Sequence, residues 1–159
     1  MKRILEGFAG IVLAIVLHTI LGKVSASLLI VFNAFSWVVL YFGLTRHEVF
    51  GAFMGTTCGL LQDSLSLGIF GVGGLTKTLL GFGAGYISRK INVTPATRTF
   101  VFVLVIATIE LLLWKTLVLF LFGERFSPAG GLIFLQPPAA ALFVTAAFQV
   151  QRRREARRS

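Results

Sequence analysis

Charge is scarce in this chain, and acid is the scarcest part of it. Of 159 residues only 13% are charged, with six Asp and Glu against fifteen Lys and Arg. A soluble domain carries about 25% charged residues, so a water-facing surface around an ordinary core is excluded. There is one cysteine, Cys58, which rules out an intrachain disulfide or a cysteine metal cluster. Set among glycines, that thiol packs as a small apolar residue. Catalytic signatures are missing too. No His-x-x-x-His, no Gly-x-Ser-x-Gly and no phosphate-binding glycine loop ahead of Lys-Ser or Lys-Thr occurs. The run from Gly68 to Gly74 joins two apolar stretches and matches no nucleotide signature in that setting. No internal repeat or low-complexity segment is present, and the longest polar connection is Ser88 to Arg98. The reading is a non-enzyme without metal or cofactor.

What is present is apolar. Hydrophobic residues make up 56% of the chain, and the mean hydropathy is +0.88. Six segments fill nearly all of it: Leu5–Leu21, Ser27–Leu44, Glu48–Leu65, Phe70–Ile87, Thr99–Phe122 and Gly131–Val150. Most approach the ~20 residues that cross a bilayer as a helix. The expected fold is therefore an all-α polytopic membrane protein with six transmembrane helices. Residues 1–151 form one domain and 152–159 a basic cytoplasmic tail. Lys2-Arg3 before an apolar run, with Val24-Ser25-Ala26 as a cleavage site, also imitates a signal peptide. Lys23 at that site and the five spans left after cleavage favour an uncleaved first helix.

A net charge of +9 and a pI near 10.9 could suggest nucleic acid. The positions say otherwise. With the N-terminus in the cytoplasm, eleven basic residues fall inside: Lys2, Arg3, Arg46, Arg89, Lys90, Arg98, Arg152, Arg153, Arg154, Arg157 and Arg158. Lys23 and Arg125 fall outside, and Lys77 and Lys115 lie within spans. Such asymmetry is what the positive-inside rule expects, and an even span number puts both termini in the cytoplasm. The C-terminal arginines can also hold anionic lipid. Trp37, Tyr41 and Phe42 read as an interfacial aromatic belt, and Lys115 as an interface anchor.

Two stripes spaced by four residues mark the middle of the chain. Gly51, Gly55 and Gly59 lead to Asp63, and Gly73, Lys77, Gly81 and Gly85 follow in the next segment. A step of four keeps residues on one helical face. Glycine there lets two helices touch backbone to backbone, a common way for helices to associate in lipid. The expectation is a tight, right-handed crossing with Asp63 and Lys77 paired, Gly59 facing Gly81 and Gly55 facing Gly85. Counted from the inner edge, Asp63 lies about 22 Å deep and Lys77 and Glu110 about 16 Å. His18 and Asn33 occupy the same outer-to-middle layer. Intramembrane charges are functional candidates by default, and a structural lock among Asp63, Lys77 and Glu110 is the alternative. Pro137 and Pro138 should break the sixth span by freeing the carbonyls of Ile133 and Phe134.

The stretch Gly59-Leu60-Leu61-Gln62-Asp63-Ser64-Leu65-Ser66-Leu67-Gly68, continued to Lys77, resembles the rod-shape-determining MreD family of bacterial inner-membrane proteins. In that family a Gly-Leu-Leu-x-Asp element ends one helix ahead of a glycine-rich start to the next. Gly59, Gln62, Asp63 and Gly68 match it, and Lys77 more loosely. The resemblance implies a non-catalytic scaffold of the cell-wall elongation machinery. Its partners would be MreC, through its membrane helix and adjacent periplasmic part, and MreB, RodA and its transpeptidase. The fold is also similar to the substrate-binding subunits of energy-coupling-factor vitamin transporters, which supply the alternative function. Gly10, Ala14 and His18 form a stripe on the first helix as such subunits require, but their Ala-x-x-x-Ala docking pattern is absent. A channel or proton relay through Asp63, Lys77 and Glu110 is a third class. For the scaffold, leftover glycine faces and the proline break would offer grooves for a guest helix.

Overall fold

A computed structural model describes residues 2–65, 71–122 and 130–157, and every regular element in them is helical. Gly68, Arg125 and Arg158 lie outside the described residues. The helices are α1 (Lys2–Val24), α2 (Ala26–Val31), α3 (Ala34–Thr45), α4 (Glu48–Leu65), α5 (Val72–Lys90), α6 (Ala96–Phe122) and α7 (Gln136–Ala156). A 3-10 helix, Gly130–Leu135, leads into α7.

Four stretches are long and apolar enough to cross a membrane: Leu5–Val24, Ala26–Thr45, Ala96–Leu121 and Gly131–Arg154. The protein is thus built like a membrane protein, but α4 and α5 fall short of that measure. Their composition explains it. Glycine, threonine, Gln62, Asp63 and Lys77 dilute both helices, and most of these residues sit between helices instead of on the outer face. The outward stripes are apolar: Val49, Phe53 and Leu60 on α4, and Leu75, Leu79, Phe82 and Tyr86 on α5.

α3 is the hub, touching α1, α4, α5 and α7. It buries Phe35, Val39 and Leu40 completely, and Met54, Cys58, Ala84, Val103 and Val144 close the core around them. Cys58 is a buried free thiol. By contrast α1 is peripheral, with only 11% of its apolar stretch buried. It rests on α3 through its small-residue stripe: Ala14 is fully buried, and a Cβ on Gly10 would press into the Phe42 ring.

Local sequence explains the breaks in two of the expected spans, one of them not foreseen. The second segment is not one helix. Asn33 accepts a hydrogen bond from the Ser36 amide at 3.3 Å and starts α3 afresh, after α2 has ended at Phe32. An Asn inside an apolar run is a strong helix initiator, so it splits the segment. The sixth span is interrupted where the proline pair predicts, since residues 130–135 are a 3-10 helix and the α-helix starts only at Gln136. Pro137 and Pro138 fall in the first turn of α7, where the amides they lack would have no helical partner. The basic tail is not a separate piece, since α7 continues through Arg152, Arg153 and Arg154 to Ala156.

Of the aromatic cluster only Phe42 is buried, while Trp37 and Tyr41 are half-buried and engage α7. Trp37 stacks on Phe143 with centroids 4.4 Å apart, and the Tyr41 hydroxyl donates to Gln151. Lys115 sits over the Phe134 ring, 4.8 Å from its centroid, which fixes its amine against the 3-10 helix.

Candidate functional site

The α4–α5 contact is the tightest in the molecule. A Cβ built on Gly55 would overlap the Lys77 carbonyl, one on Gly59 the Gly73 carbonyl, and one on Gly51 the Gly81 carbonyl, all closer than 3.0 Å. Real Cβ atoms essentially never sit so close, so at these positions only glycine fits. Thr56 and Thr78 add a hydroxyl pair at 2.7 Å beside the seam.

The register differs from the expected one. Gly55 faces Lys77 instead of Gly85, and Gly59 faces Gly73 instead of Gly81, while Gly85 lies against Glu48. Depths counted from level inner ends mislead here. α5 runs five residues beyond the level of Glu48, to Lys90, a protrusion of about 8 Å.

That shift separates Asp63 from Lys77, and the expected pair does not form. Asp63 instead accepts the Gly71 amide at 2.8 Å and the Gly74 amide at 3.2 Å, both on Oδ2. Gly71 opens α5 in the left-handed region, with φ of 99°, and has no side chain to cap the helix. Asp63 supplies that cap from the neighbouring helix. Its charge also faces the positive end of the α5 dipole.

Lys77 finds Glu110 on α6 instead. Its Nζ lies 2.7 Å from Oε1, and both side chains are at most 5% exposed. Ser36, in the first turn of α3, donates its hydroxyl to the same oxygen at 2.7 Å. Three helices are therefore tied through one carboxylate. The lock expected among Asp63, Lys77 and Glu110 is a lock of Ser36, Lys77 and Glu110. Ser36 was missed by sequence reasoning, although its spacing three residues after Asn33 is a capping signal.

Two cavities flank this framework. A chamber of about 320 Å³ contains Lys77 and Glu110 in its wall, together with Gln62, His18, Asn33 and Gln136. It lies toward the end of the bundle where α5 and α7 begin. A larger groove, about 760 Å³, runs along α1, α3 and α7. Its floor includes Ala9, Gly10, Ala34 and Ala147, and the stacked Trp37 and Phe143 form one wall. Pro137 is buried and the glycine stripes are occupied by the seam, so neither leaves the groove expected of it.

The end of the groove is polar. Arg46 pairs with Glu6 there, and Tyr41 and Gln151 complete the rim. At the same end of the bundle Arg89 approaches Glu48 at 2.8 Å, close but not aligned as a hydrogen bond, and also contacts His47. Gln149 donates to the Thr94 carbonyl at 3.0 Å and closes the turn before α6. Among the described residues no group of three or more His, Cys, Asp and Glu could hold a metal ion.

Comparison with known protein families, characterised proteins and solved structures returns no match.

Proposed function

We propose that this chain is a non-catalytic scaffold of the bacterial inner membrane, of the MreD kind, that grips the single membrane helix of an MreC-like partner. The groove along α1, α3 and α7 is the observation that carries this reading. Helices associate in lipid through close packing of small residues, and Ala9, Gly10, Ala34 and Ala147 supply such a floor. On α1 the lining runs from Glu6 to Leu17, about 16 Å of helix, or half of a ~30 Å hydrocarbon core. The guest would lie in the cytoplasmic half, beside the polar rim.

The same reading gives six spans, with α4 and α5 crossing as a pair and both termini in the cytoplasm. Two features support it. Apolar stripes cover the outward faces of α4 and α5. Hydroxyls on the exposed surface also bond to their own helix, as with Thr19 to the Ile15 carbonyl at 2.8 Å and Thr108 to that of Leu104 at 2.7 Å. Polar groups facing lipid must be satisfied in this way. MreB, RodA and its transpeptidase would be reached through the partner, and the α7 arginines would meet anionic lipid.

Coexpression tests the groove. Ala147→Trp fills it from an exposed position, and should abolish copurification of MreC while leaving thermal unfolding unchanged. Cells relying on this variant should round up. Undiminished copurification with an MreC whose membrane helix is scrambled would refute the reading.

A further inference from the structure

The chamber beside Lys77 and Glu110 has a supply of hydrogen-bonding groups that the protein itself leaves unused. Gln62 Oε1 is buried and has no partner among the described residues. Glu110 accepts both of its hydrogen bonds on Oε1, so Oε2 accepts none there. Lys77 spends one of its three donors on Glu110, and the side chain of Gln136 makes no hydrogen bond among the described residues. Asn33 uses its oxygen as the α3 cap, and its amide NH₂ has no partner among the described residues. A buried polar atom without a partner is costly, and here one, Gln62 Oε1, borders a space that the unused donors and acceptors of its neighbours also line.

We infer that this chamber is a binding site for a small, net-uncharged molecule with amide-like edges, offering both N–H donors and carbonyl acceptors. Charge decides the first part. Lys77 and Glu110 neutralise each other, so an anion or a cation would enter without a counter-charge in a low-dielectric wall. Edge chemistry decides the second. Gln62 and Gln136 are carboxamides that pair best with a group that donates and accepts side by side, and Asn33 adds the donors of its NH₂. Leu29, Ile30, Leu111 and Trp114 supply the apolar remainder of the wall. About 320 Å³ falls at the small end of ligand pockets. The break between α2 and α3 gives one side of the chamber a helix end in place of a continuous helix. The site does not depend on the groove or on any partner helix.

Benzamide and benzoate, nearly the same shape but differing in charge and donors, test the inference. The full chain in lipid nanodiscs is titrated with each by saturation-transfer NMR. Benzamide should bind saturably, and benzoate far more weakly. Gln62→Leu and Gln136→Leu, on different helices, should each weaken benzamide about fivefold, the loss of roughly one hydrogen bond. Gln62→Leu removes an unpaired buried oxygen, so the folded protein should persist, and an unchanged melting temperature checks it. Equal benzamide signal in the wild type and both variants would place the probe in lipid and overturn the proposal. So would no benzamide binding, or benzoate binding as tightly.

Discussion

Single residues act through distance, and two glycines, one in the seam and one outside it, have opposite consequences. Gly55 has the Lys77 carbonyl where its Cβ would go, whereas Gly83 on α5 has nothing within 4 Å. Gly55→Ala should therefore destabilise the protein by about 1–3 kcal/mol, the usual scale of overpacking. Gly83→Ala should be neutral or stabilise by up to about 1 kcal/mol, because alanine favours the helix. Detergent-titrated unfolding of both variants checks the contrast. The charges make a second comparison. Asp63→Ala and Lys77→Ala should add within about 0.5 kcal/mol, since they share no partner. Lys77→Ala and Glu110→Ala should couple by about 0.5–3 kcal/mol, with the double variant more stable than the sum of the singles. At this scale the sequence exposed the right polar residues and the wrong pairing. Four-residue spacing identifies a face, but it does not reveal how far one helix protrudes past its neighbour. The overhang of α5 beyond Glu48 is what moved Lys77 away from Asp63 and next to Glu110.

Elements obey their ends more than their middles. Pro137 and Pro138 look like breakers inside a long apolar run, and the preceding residues do fold as a 3-10 helix, with α7 beginning at Gln136. Pro137→Ala should then change stability by less than about 1 kcal/mol, far from the ~3 kcal/mol of a mid-helix proline. Asn33→Leu should cost more, because it removes the cap on which α3 starts and shifts Ser36 relative to Glu110. Thermal melts of the two variants side by side decide this. The helical class, the extents of α4 and α6 and the glycine contact were legible from periodicity and length. The α2–α3 break was not, because hydropathy averages over an isolated Asn within apolar neighbours. Similarly, the contacts of Trp37 and Tyr41 were not legible, because their partners Phe143 and Gln151 come from α7, more than a hundred residues on.

For the whole molecule the polar groups sort by end. Glu6, Arg46, Glu48 and Arg89 gather where α1 and α4 begin and α3 and α5 finish, and the arginines of α7 share that end. On the six-span reading this is the cytoplasmic face. A green fluorescent protein fused to the C-terminus should fluoresce, and a periplasmic alkaline phosphatase fused there should be inactive. The reverse result would invert the topology. The groove lies toward the same face and the amide-lined chamber toward the opposite one, so a guest helix and a small ligand could be held at once. Neither cavity was visible in the sequence. Each takes its lining from at least three helices, and only the packing around α3 brings those residues together.

The seam between α4 and α5 bears on how the chain is made. Neither helix is among the stretches long and apolar enough to cross a membrane alone, and each carries an ionisable group, Asp63 or Lys77. Once they meet, the glycine backbones are sealed against each other, Asp63 is occupied by the start of α5, and the outward faces are mainly apolar, with the hydroxyls of Thr56 and Ser64 hydrogen-bonded within the pair. On the six-span reading the two would therefore partition as one hairpin, after α5 has emerged from the ribosome. In chains truncated at Leu65 the native Cys58 on α4 should react with a membrane-impermeant maleimide, and in chains extended through Lys90 it should be protected.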